Sequence, residues 1–190
     1  MAARRSFVEF GYERTSLDAL IAEVGGSRRN IYRAYGSKRG LFHAVMEQII
    51  GEIAGSGESA AAEGVRPRDW LISCGIDFVS RMVAPDTIAV FRQLIAMHDM
   101  DAEQTDRLWQ NGPERFRNGL ADWFRQQNER GALTIEDPDI AATLLPDMMR
   151  GSLQIELLSG LRQSVSKEEV ETQVTRAVDF FLKAASSEQI

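Results

Sequence analysis

Side chains that can recognise DNA bases follow a glycine pair near the start of the sequence. Arg28, Arg29, Asn30 and Arg33 stand in a predicted short helix, and arginine and asparagine can each form two hydrogen bonds with one base edge. The glycine pair permits the backbone conformation of a tight turn, and Ser27 is placed to cap the helix that follows. A short helix precedes the turn, which is the pattern of a helix-turn-helix. The second helix of this motif contacts the major groove with its amino end, so we predict base contacts for these residues.

The polar residues around them are suited to phosphate. Tyr32 and Tyr35 carry hydroxyls on rigid stems, and Thr15 or Ser16 begins the first helix of the motif. Lys38 lies at the start of the next helix, where free backbone amides and the helix dipole attract anions. The predicted DNA-binding residues are therefore Thr15, Ser16, Ser27, Arg28, Arg29, Asn30, Tyr32, Arg33, Tyr35 and Lys38. The alternative is that the arginines form a solvated helix face beside an ordinary turn.

Charge is unevenly divided along the chain, whose net charge is −6. Residues 1–43 contain eight basic and four acidic side chains and so carry +4, which leaves −10 for residues 44–190. A basic segment joined to a larger acidic one predicts two separate tasks, of which one involves phosphate. We call residues 1–43 the N-terminal unit and residues 44–190 the C-terminal unit. The first is the predicted DNA-binding domain.

Apolar residues recur at helical spacing almost throughout, and no segment shows sustained two-residue alternation, so the predicted fold is all-α. Pro113 and Pro138 suit the first turn of a helix, where no amide donor is needed, and Asp137 is placed to cap the helix at Pro138. Ser166 and Glu169 have the spacing of a capping box. The predicted helices span residues 2–10, 16–24, 27–35, 37–54, 67–83, 86–98, 103–110, 113–130, 138–159 and 167–185.

The predicted helix at 37–54 is apolar enough to join the two units. We expect it to be the only helix that packs on both units, so that movement in one unit reaches the other through it.

Within the helix-turn-helix, residues 16–35, one set of apolar side chains is predicted to face inward against Phe7. These residues are Leu17, Leu20, Ile21, Val24, Ile31 and Ala34.

The C-terminal unit is rich in aromatic and methionine side chains, most of which belong to its core because they recur at helical spacing. About a third of them are expected to line a cavity for a small apolar or aromatic effector. The predicted ligand-binding residues are Phe78, Met82, Phe91, Trp109, Phe116 and Met148. Such a ligand weakens DNA binding if it has different affinities for two arrangements of the units.

The segment 138–159 is apolar nearly all round, which is more than one core-facing stripe requires. The apolar face that the core does not cover predicts a homodimer built mainly from this helix and the helix at 167–185. Pro146 lacks an amide donor and is expected to kink the first of them. A twofold dimer also suits a DNA operator with two half-sites.

Two other functions are compatible with these patterns: an enzyme in the C-terminal unit, and a DNA-binding architectural protein without an effector. His43 and His98 lack the spacing of a metal site, and the acidic residues near 99–103 are explained as helix-end charges. No phosphate loop or nucleophile elbow is present, so we predict no enzyme, metal or cofactor.

Cys74 lies in an apolar helical stretch, which predicts a buried thiol. No apolar run approaches a membrane span and no signal peptide opens the chain, so we expect a cytoplasmic protein.

Three segments of the N-terminal quarter, Phe7–Leu17, Val24–Tyr32 and Tyr35–Phe42, resemble in combination the DNA-binding domain of TetR-family transcriptional regulators. A weaker similarity relates part of the C-terminal unit to the effector domain of AefR-like TetR regulators. Its segments are residues 90–95, 112–116, 131–133 and 137–142. The resemblance implies an all-helical homodimer, usually a repressor, which releases its operator when a small molecule enters the larger domain.

Overall fold

The computed structural model describes residues 2–25, 27–58, 64–97 and 102–185. In these ranges the chain forms α-helices, a 3₁₀ turn at Gly55–Glu58 and a π turn at Gln110–Glu114, and no strand, so the predicted all-α fold is confirmed. None of the described helices is long and apolar enough to span a membrane. The helices are α1 Ala2–Arg14, α2 Leu17–Val24, α3 Arg28–Tyr35, α4 Lys38–Ala54, α5 Pro67–Met82, α6 Pro85–Ala96, α7 Ala102–Trp109, α8 Arg115–Glu129, α9 Pro138–Arg150, α10 Leu153–Ser159 and α11 Lys167–Ala185.

The predicted caps of the last helices are confirmed. Asp137 Oδ1 accepts hydrogen bonds from the two backbone N–H groups at positions 139 and 140, at 3.0 and 2.9 Å. Glu169 Oε2 accepts from the backbone N–H of Ser166 at 2.8 Å, and Ser166 Oγ accepts from that of Glu169 at 3.2 Å, which is the reciprocal pattern of a capping box. The hydrogen bond from the Ser166 backbone, followed by that from the Arg162 guanidinium, lowers the pKa of Glu169.

Two predictions about helix boundaries are wrong. Pro113 does not open α8, because it lies inside the π turn that precedes Arg115. The predicted continuous helix 138–159 is broken at Gly151, whose φ of +51° favours glycine, while Pro146 lies inside α9. Gln173 of α11 stabilises this end of α9, because its Nε2 donates to the carbonyl oxygen of Met148 at 2.8 Å.

An aromatic cluster forms the core of the N-terminal unit. Phe7 and Phe42 are fully buried and meet edge to face, with 5.0 Å between ring centroids, and the Tyr12 ring lies 5.4 Å from that of Phe42. α1 is broken at Gly11, where φ is +77°, between its two cluster residues Phe7 and Tyr12. Because Phe42 belongs to α4, the amino-terminal half of α4 is fixed to the N-terminal unit, while its later residues pack on the C-terminal unit.

A second connection joins the two units beside α4. Gln93 of α6 donates from Nε2 to the backbone oxygen of Phe7 at 2.9 Å. Arg4 of α1 forms ion pairs with Glu52 of α4 at 2.7 Å and with Asp86 of α6 at 3.3 Å. The expectation that α4 alone links the units is therefore wrong, because α1 packs directly on α6.

Stacked rings mark the core of the C-terminal unit, in which α5, α8, α9 and α11 pack together. The Trp70 and Trp123 rings are stacked at 4.1 Å between centroids. Cys74 is buried as predicted, and its thiol donates to the backbone oxygen of Ser56 at 3.2 Å. Burial raises the pKa of this thiol to about 12, which keeps it protonated and unreactive.

The π turn approaches α4 so closely at Gly112 that no side chain fits there. A Cβ at this position would lie 2.2 Å from Cγ2 of Ile50. We expect Gly112→Ala to lower the free energy of unfolding by about 1 to 3 kcal/mol, the usual effect of overpacking a core. Urea denaturation measures this loss.

The control is a double-mutant cycle with Ile50→Ala. This change removes Cγ2 and leaves the Cβ of Ile50 at 3.7 Å, an ordinary contact. The double variant should therefore be more stable than the sum of the two single losses predicts. Strictly additive losses would show that the two residues do not clash.

Candidate DNA-binding surface and ligand cavity

α2 and α3 form a helix-turn-helix with a serine cap at each start. Ser16 and Ser27 each accept a hydrogen bond from the backbone N–H three residues later, at 3.4 and 3.3 Å. Gly25 ends α2 with a φ of +72°, which supplies the turn conformation expected of the glycine pair. Gly26, the other member of the pair, lies outside the described residues.

The contact between α2 and α3 is smaller than predicted. Leu20 is buried, and three further predicted residues are half-buried, namely Leu17, Ile21 and Ile31. Val24 is 60% exposed and Ala34 is exposed, so their inward placement was wrong. Both lie in the last turn of their helices, at the edge of the contact, where the partner helix does not cover them.

The side chains predicted to contact bases are accessible. Arg28, Arg29, Asn30 and Arg33 are all exposed on α3, which has eight residues. The predicted phosphate ligands Tyr32 and Tyr35 are exposed on the same helix, and so are the two capping serines. α3 thus presents three guanidinium groups, one amide and two phenols to the surroundings.

Arg28 is held by an acidic residue of the same motif. Its guanidinium forms hydrogen bonds with both carboxylate oxygens of Asp18 on α2. These bonds lower the pKa of Asp18, so the pair stays ionised at neutral pH. A base contact by Arg28 thus requires exchange of this carboxylate for a base edge. Within the part of the chain that the structure describes, Arg29 and Arg33 form no ion pair.

Lys38 has a structural contact in addition to its place at the start of α4. Its Nζ donates to the backbone oxygen of Glu13 at 2.9 Å and lies 4.7 Å from the centre of the Tyr12 ring. Lys38 is half-buried by these contacts. Its charge therefore lies near the start of α4, where free backbone amides attract anions. The contacts of the same side chain also hold α4 against α1.

A cavity of about 690 Å³ lies in the C-terminal unit, lined by residues of helices α4 to α10 and of the π turn. Five of the six predicted ligand-binding residues line it: Phe78, Met82, Phe91, Trp109 and Phe116. Met148 does not, which corrects that prediction. It lies on the part of α9 that packs on the core beside α11, as the bond from Gln173 to its carbonyl shows.

Several wall residues were not predicted. Ile50, Ile53 and Ala54 of α4 line the cavity, as do the charged residues Arg117 and Arg150. The first three had a sequence signal, since the predicted helix at 37–54 is more apolar than one buried face requires. The two arginines had none, because charged residues at helical spacing usually lie on a solvated face.

Two family models match the chain. The model of tetR-family bacterial regulatory proteins matches residues 1–45, and that of the AefR-like transcriptional repressor C-terminal domain matches residues 69–184. The chain belongs to the TetR family of transcriptional regulators. It is therefore a DNA-binding regulator of the helix-turn-helix type, as the sequence predicts.

Known relatives of this TetR-family chain agree with that assignment. It is 29% identical over 140 residues to an uncharacterised HTH-type transcriptional regulator, YezE, of Bacillus subtilis, a match that covers 72% of this chain and 71% of the relative. A TetR-family regulator structure from Mesorhizobium loti superposes with a TM-score of 0.78 at 23% identity and covers 96% and 92% of the two chains. The flavonoid-responsive regulator FrrA has a TM-score of 0.69 at 23% identity over 99% and 95%. The two structures show the shared fold.

The structure offers no metal site within its described residues, where no cluster of three or more histidine, cysteine or acidic side chains is found. His43 is buried in α4, next to the aromatic cluster, with its ring 6.5 Å from that of Phe42. His98, Asp99 and Asp101 lie outside the described residues. His43 is thus a core residue of the TetR-type N-terminal unit.

Thr15 is the one predicted DNA-binding residue that the structure removes from the surface. It is buried, and its hydroxyl donates to the backbone oxygen of Gly11 at 2.7 Å, so Ser16 alone opens α2 toward the surroundings. We expect Thr15→Val to lower the free energy of unfolding by about 0.5 to 1.5 kcal/mol, because the hydroxyl bond is lost while the Gly11 oxygen still accepts from the backbone N–H of Thr15 at 3.2 Å. Folded Thr15→Val should bind DNA as the wild type does. Thr15→Ser, which keeps the hydroxyl, is the control. A stable Thr15→Val protein with weakened DNA binding would contradict this structural role.

Proposed function

We propose that this TetR-family regulator is a homodimeric repressor that leaves its DNA operator when a small apolar or aromatic molecule occupies the cavity. The observation that carries the proposal is the position of α4. Ile50, Ile53 and Ala54 line the cavity, while Phe42 of the same helix belongs to the aromatic cluster of the N-terminal unit. A molecule in the cavity therefore touches a helix that positions the DNA-binding domain.

α6 supports the same coupling by a second route. Phe91 and Leu94 line the cavity, and Gln93, between them in sequence, donates to the backbone oxygen of Phe7. A shift of α6 on ligand binding would thus act on the core of the N-terminal unit directly. Two connections that carry the same displacement would move the DNA-binding domain as a whole.

Exposed apolar side chains on the last helices support the homodimer. Ile140 and Leu144 lie one turn apart on α9, Ile155 lies on α10, and Phe180 lies on α11, which packs against α9. All four are large and more than half exposed. Burial of such residues against a second copy would place two recognition helices on two half-sites. We place this dimer in the cytoplasm, with the DNA, and assign no catalytic role to its C-terminal unit.

The experiment begins with an operator selected from randomised DNA duplexes by the purified protein. Apolar and aromatic compounds that raise the melting temperature are then tested for their effect on operator affinity. We expect some to weaken operator binding by about 5-fold to 150-fold, the usual range of allosteric coupling. The variant Thr143→Trp, at an exposed position of the cavity wall, should keep operator binding and lose the response. Compounds that bind the cavity without any effect on operator affinity would indicate an architectural DNA-binding protein instead.

A further inference from the structure

The cavity wall differs in charge from the unit that contains it. Its described charged residues are Arg117, Arg150 and Asp147, so the wall carries a net positive charge. The C-terminal unit as a whole carries −10. Positive charge in the cavity is therefore a local feature, and it favours anions over cations and neutral molecules.

The two arginines of the wall are not equivalent. The guanidinium of Arg150 is neutralised by Asp147, with 2.7 Å between Nη2 and Oδ1, and its Nη1 lies 3.5 Å from Oε1 of Gln154. Arg117 forms no ion pair within the described residues, and its contacts are of another kind. Its charge is therefore available to a ligand.

The contacts of Arg117 orient its guanidinium but leave its charge and its Nη donors available. Its Cζ lies 4.7 Å from the centre of the Trp109 ring, and its Nε donates to the backbone oxygen of Pro113 at 3.3 Å. Stacking on the indole fixes the plane of the guanidinium and lowers the entropy lost when a ligand binds. The two Nη groups donate no hydrogen bond in either contact. They are the donors that bind both oxygens of a carboxylate in the fork geometry.

The rest of the wall is mainly apolar. The Phe78 and Phe116 rings are stacked at 4.4 Å between centroids, and Met82, Phe91 and Leu94 lie on the same wall. A volume of about 690 Å³ is in the range of cavities that enclose a whole small molecule. We propose that the ligand is an apolar monocarboxylate, whose carboxylate binds the Nη groups of Arg117 and whose apolar body lies against Phe78 and Phe116. The inference rests on the proposed function, because it names the chemical class of the effector.

Isothermal titration calorimetry with matched probes tests the proposal. The probes are 2-naphthoate with its methyl ester, and decanoate with its methyl ester, so that each pair shares its apolar body and differs only at the carboxyl group. At least one acid should bind, and it should bind about tenfold or more tightly than its ester, because a charge-assisted double hydrogen bond is lost in the ester. Esters that bind as well as the acids, or acids that do not bind, would overturn the proposal.

Two matched arginine variants test whether Arg117 causes the preference for the acid over its ester. Arg117→Gln should bring the ratio of acid to ester affinity close to one. Arg130→Gln makes the same change at the end of α8, outside the cavity, and should leave the ratio as it is. An acid preference that survives Arg117→Gln would place the carboxylate elsewhere and overturn the assignment.

Operator affinity, measured with each probe, separates this inference from the proposed function. If esters and acids weaken operator binding equally, the effector function stands and the carboxylate inference fails. If the acids bind with a preference that depends on Arg117 but leave operator affinity unchanged, the cavity assignment stands and the effector function fails.

Discussion

Replacing Arg29 and Asn30 together with alanine should severely weaken discrimination between the operator and a random duplex. Both side chains are exposed in the first turn of α3, where a recognition helix contacts base edges. Each specific contact contributes about 1 to 3 kcal/mol of discrimination, so the double variant should lose roughly two to four orders of magnitude in specificity. Binding to random DNA should fall much less, because the variant loses only one positive charge. Fluorescence anisotropy with both duplexes across a salt series measures the two effects.

Two single variants at positions predicted to contact phosphate are the controls for this experiment. Lys38→Ala should weaken binding to both duplexes about equally and reduce the salt slope by about one. Lys38→Ala should also destabilise the N-terminal unit, because Lys38 donates a hydrogen bond to the backbone oxygen of Glu13 and forms a cation–π contact with Tyr12. Tyr32→Phe should weaken binding with little change in the slope, since it removes a neutral donor. If the Arg29 and Asn30 variant keeps wild-type discrimination, these two side chains do not contact base edges, and the prediction is wrong.

The helix-turn-helix was predictable because its determinants are local. Serine caps act on amides three residues away, and a glycine permits a positive φ by itself, so a short window of sequence contains the whole cause. The same holds for the capping box at Ser166 and Glu169. Thr15 shows the limit of this reasoning. Its hydroxyl resembles that of Ser16 in sequence, and only the packing of α1 decides that the first is buried and the second exposed.

The cavity was predictable only in part, because a cavity is a gap between helices and not a property of one helix. Aromatic residues such as Phe78 and Phe116 were found because large apolar side chains concentrate near such gaps. Met148 has the same character, but it lies on the part of α9 that packs on the core. Arg117 was missed for the opposite reason. Its proposed role depends on the contact with Trp109, which helical periodicity alone does not place beside it.

Contacts between distant segments were the hardest to predict. The bond from Gln93 to the backbone of Phe7 joins residues 86 positions apart, and no local pattern distinguishes this glutamine from a solvated one. The break at Gly151 has a similar cause. A glycine is tolerated inside many helices, but here φ is positive and a Cβ would lie 2.8 Å from Nε2 of Gln173 of α11. Both features depend on tertiary packing, which overrides local preference.

Leu144→Glu and Phe180→Glu should each convert the protein into a folded monomer with more than a hundredfold weaker operator binding. The two side chains are 54% and 68% exposed, so the charge does not disturb the core of the single chain. In the proposed dimer the same charge would be buried without a partner, which is strongly unfavourable. A monomer binds one half-site and loses the contribution of the second. Sedimentation velocity gives the association state, and circular dichroism checks the helical content.

Leu161→Glu provides the matched control for these variants. Leu161 is 82% exposed in the connection between α10 and α11, so it undergoes the same chemical change outside the proposed helix-helix interface. This variant should remain a dimer with wild-type operator affinity. Leu158 is less suitable for the purpose, because it is half-buried and its carbonyl accepts a hydrogen bond from Arg92 Nε at 3.1 Å, so a charge there would mix unfolding with dissociation. If Leu144→Glu and Phe180→Glu both sediment as dimers, the interface lies on another face. If the wild type binds its operator as a monomer, the proposed arrangement of two recognition helices on two half-sites is excluded.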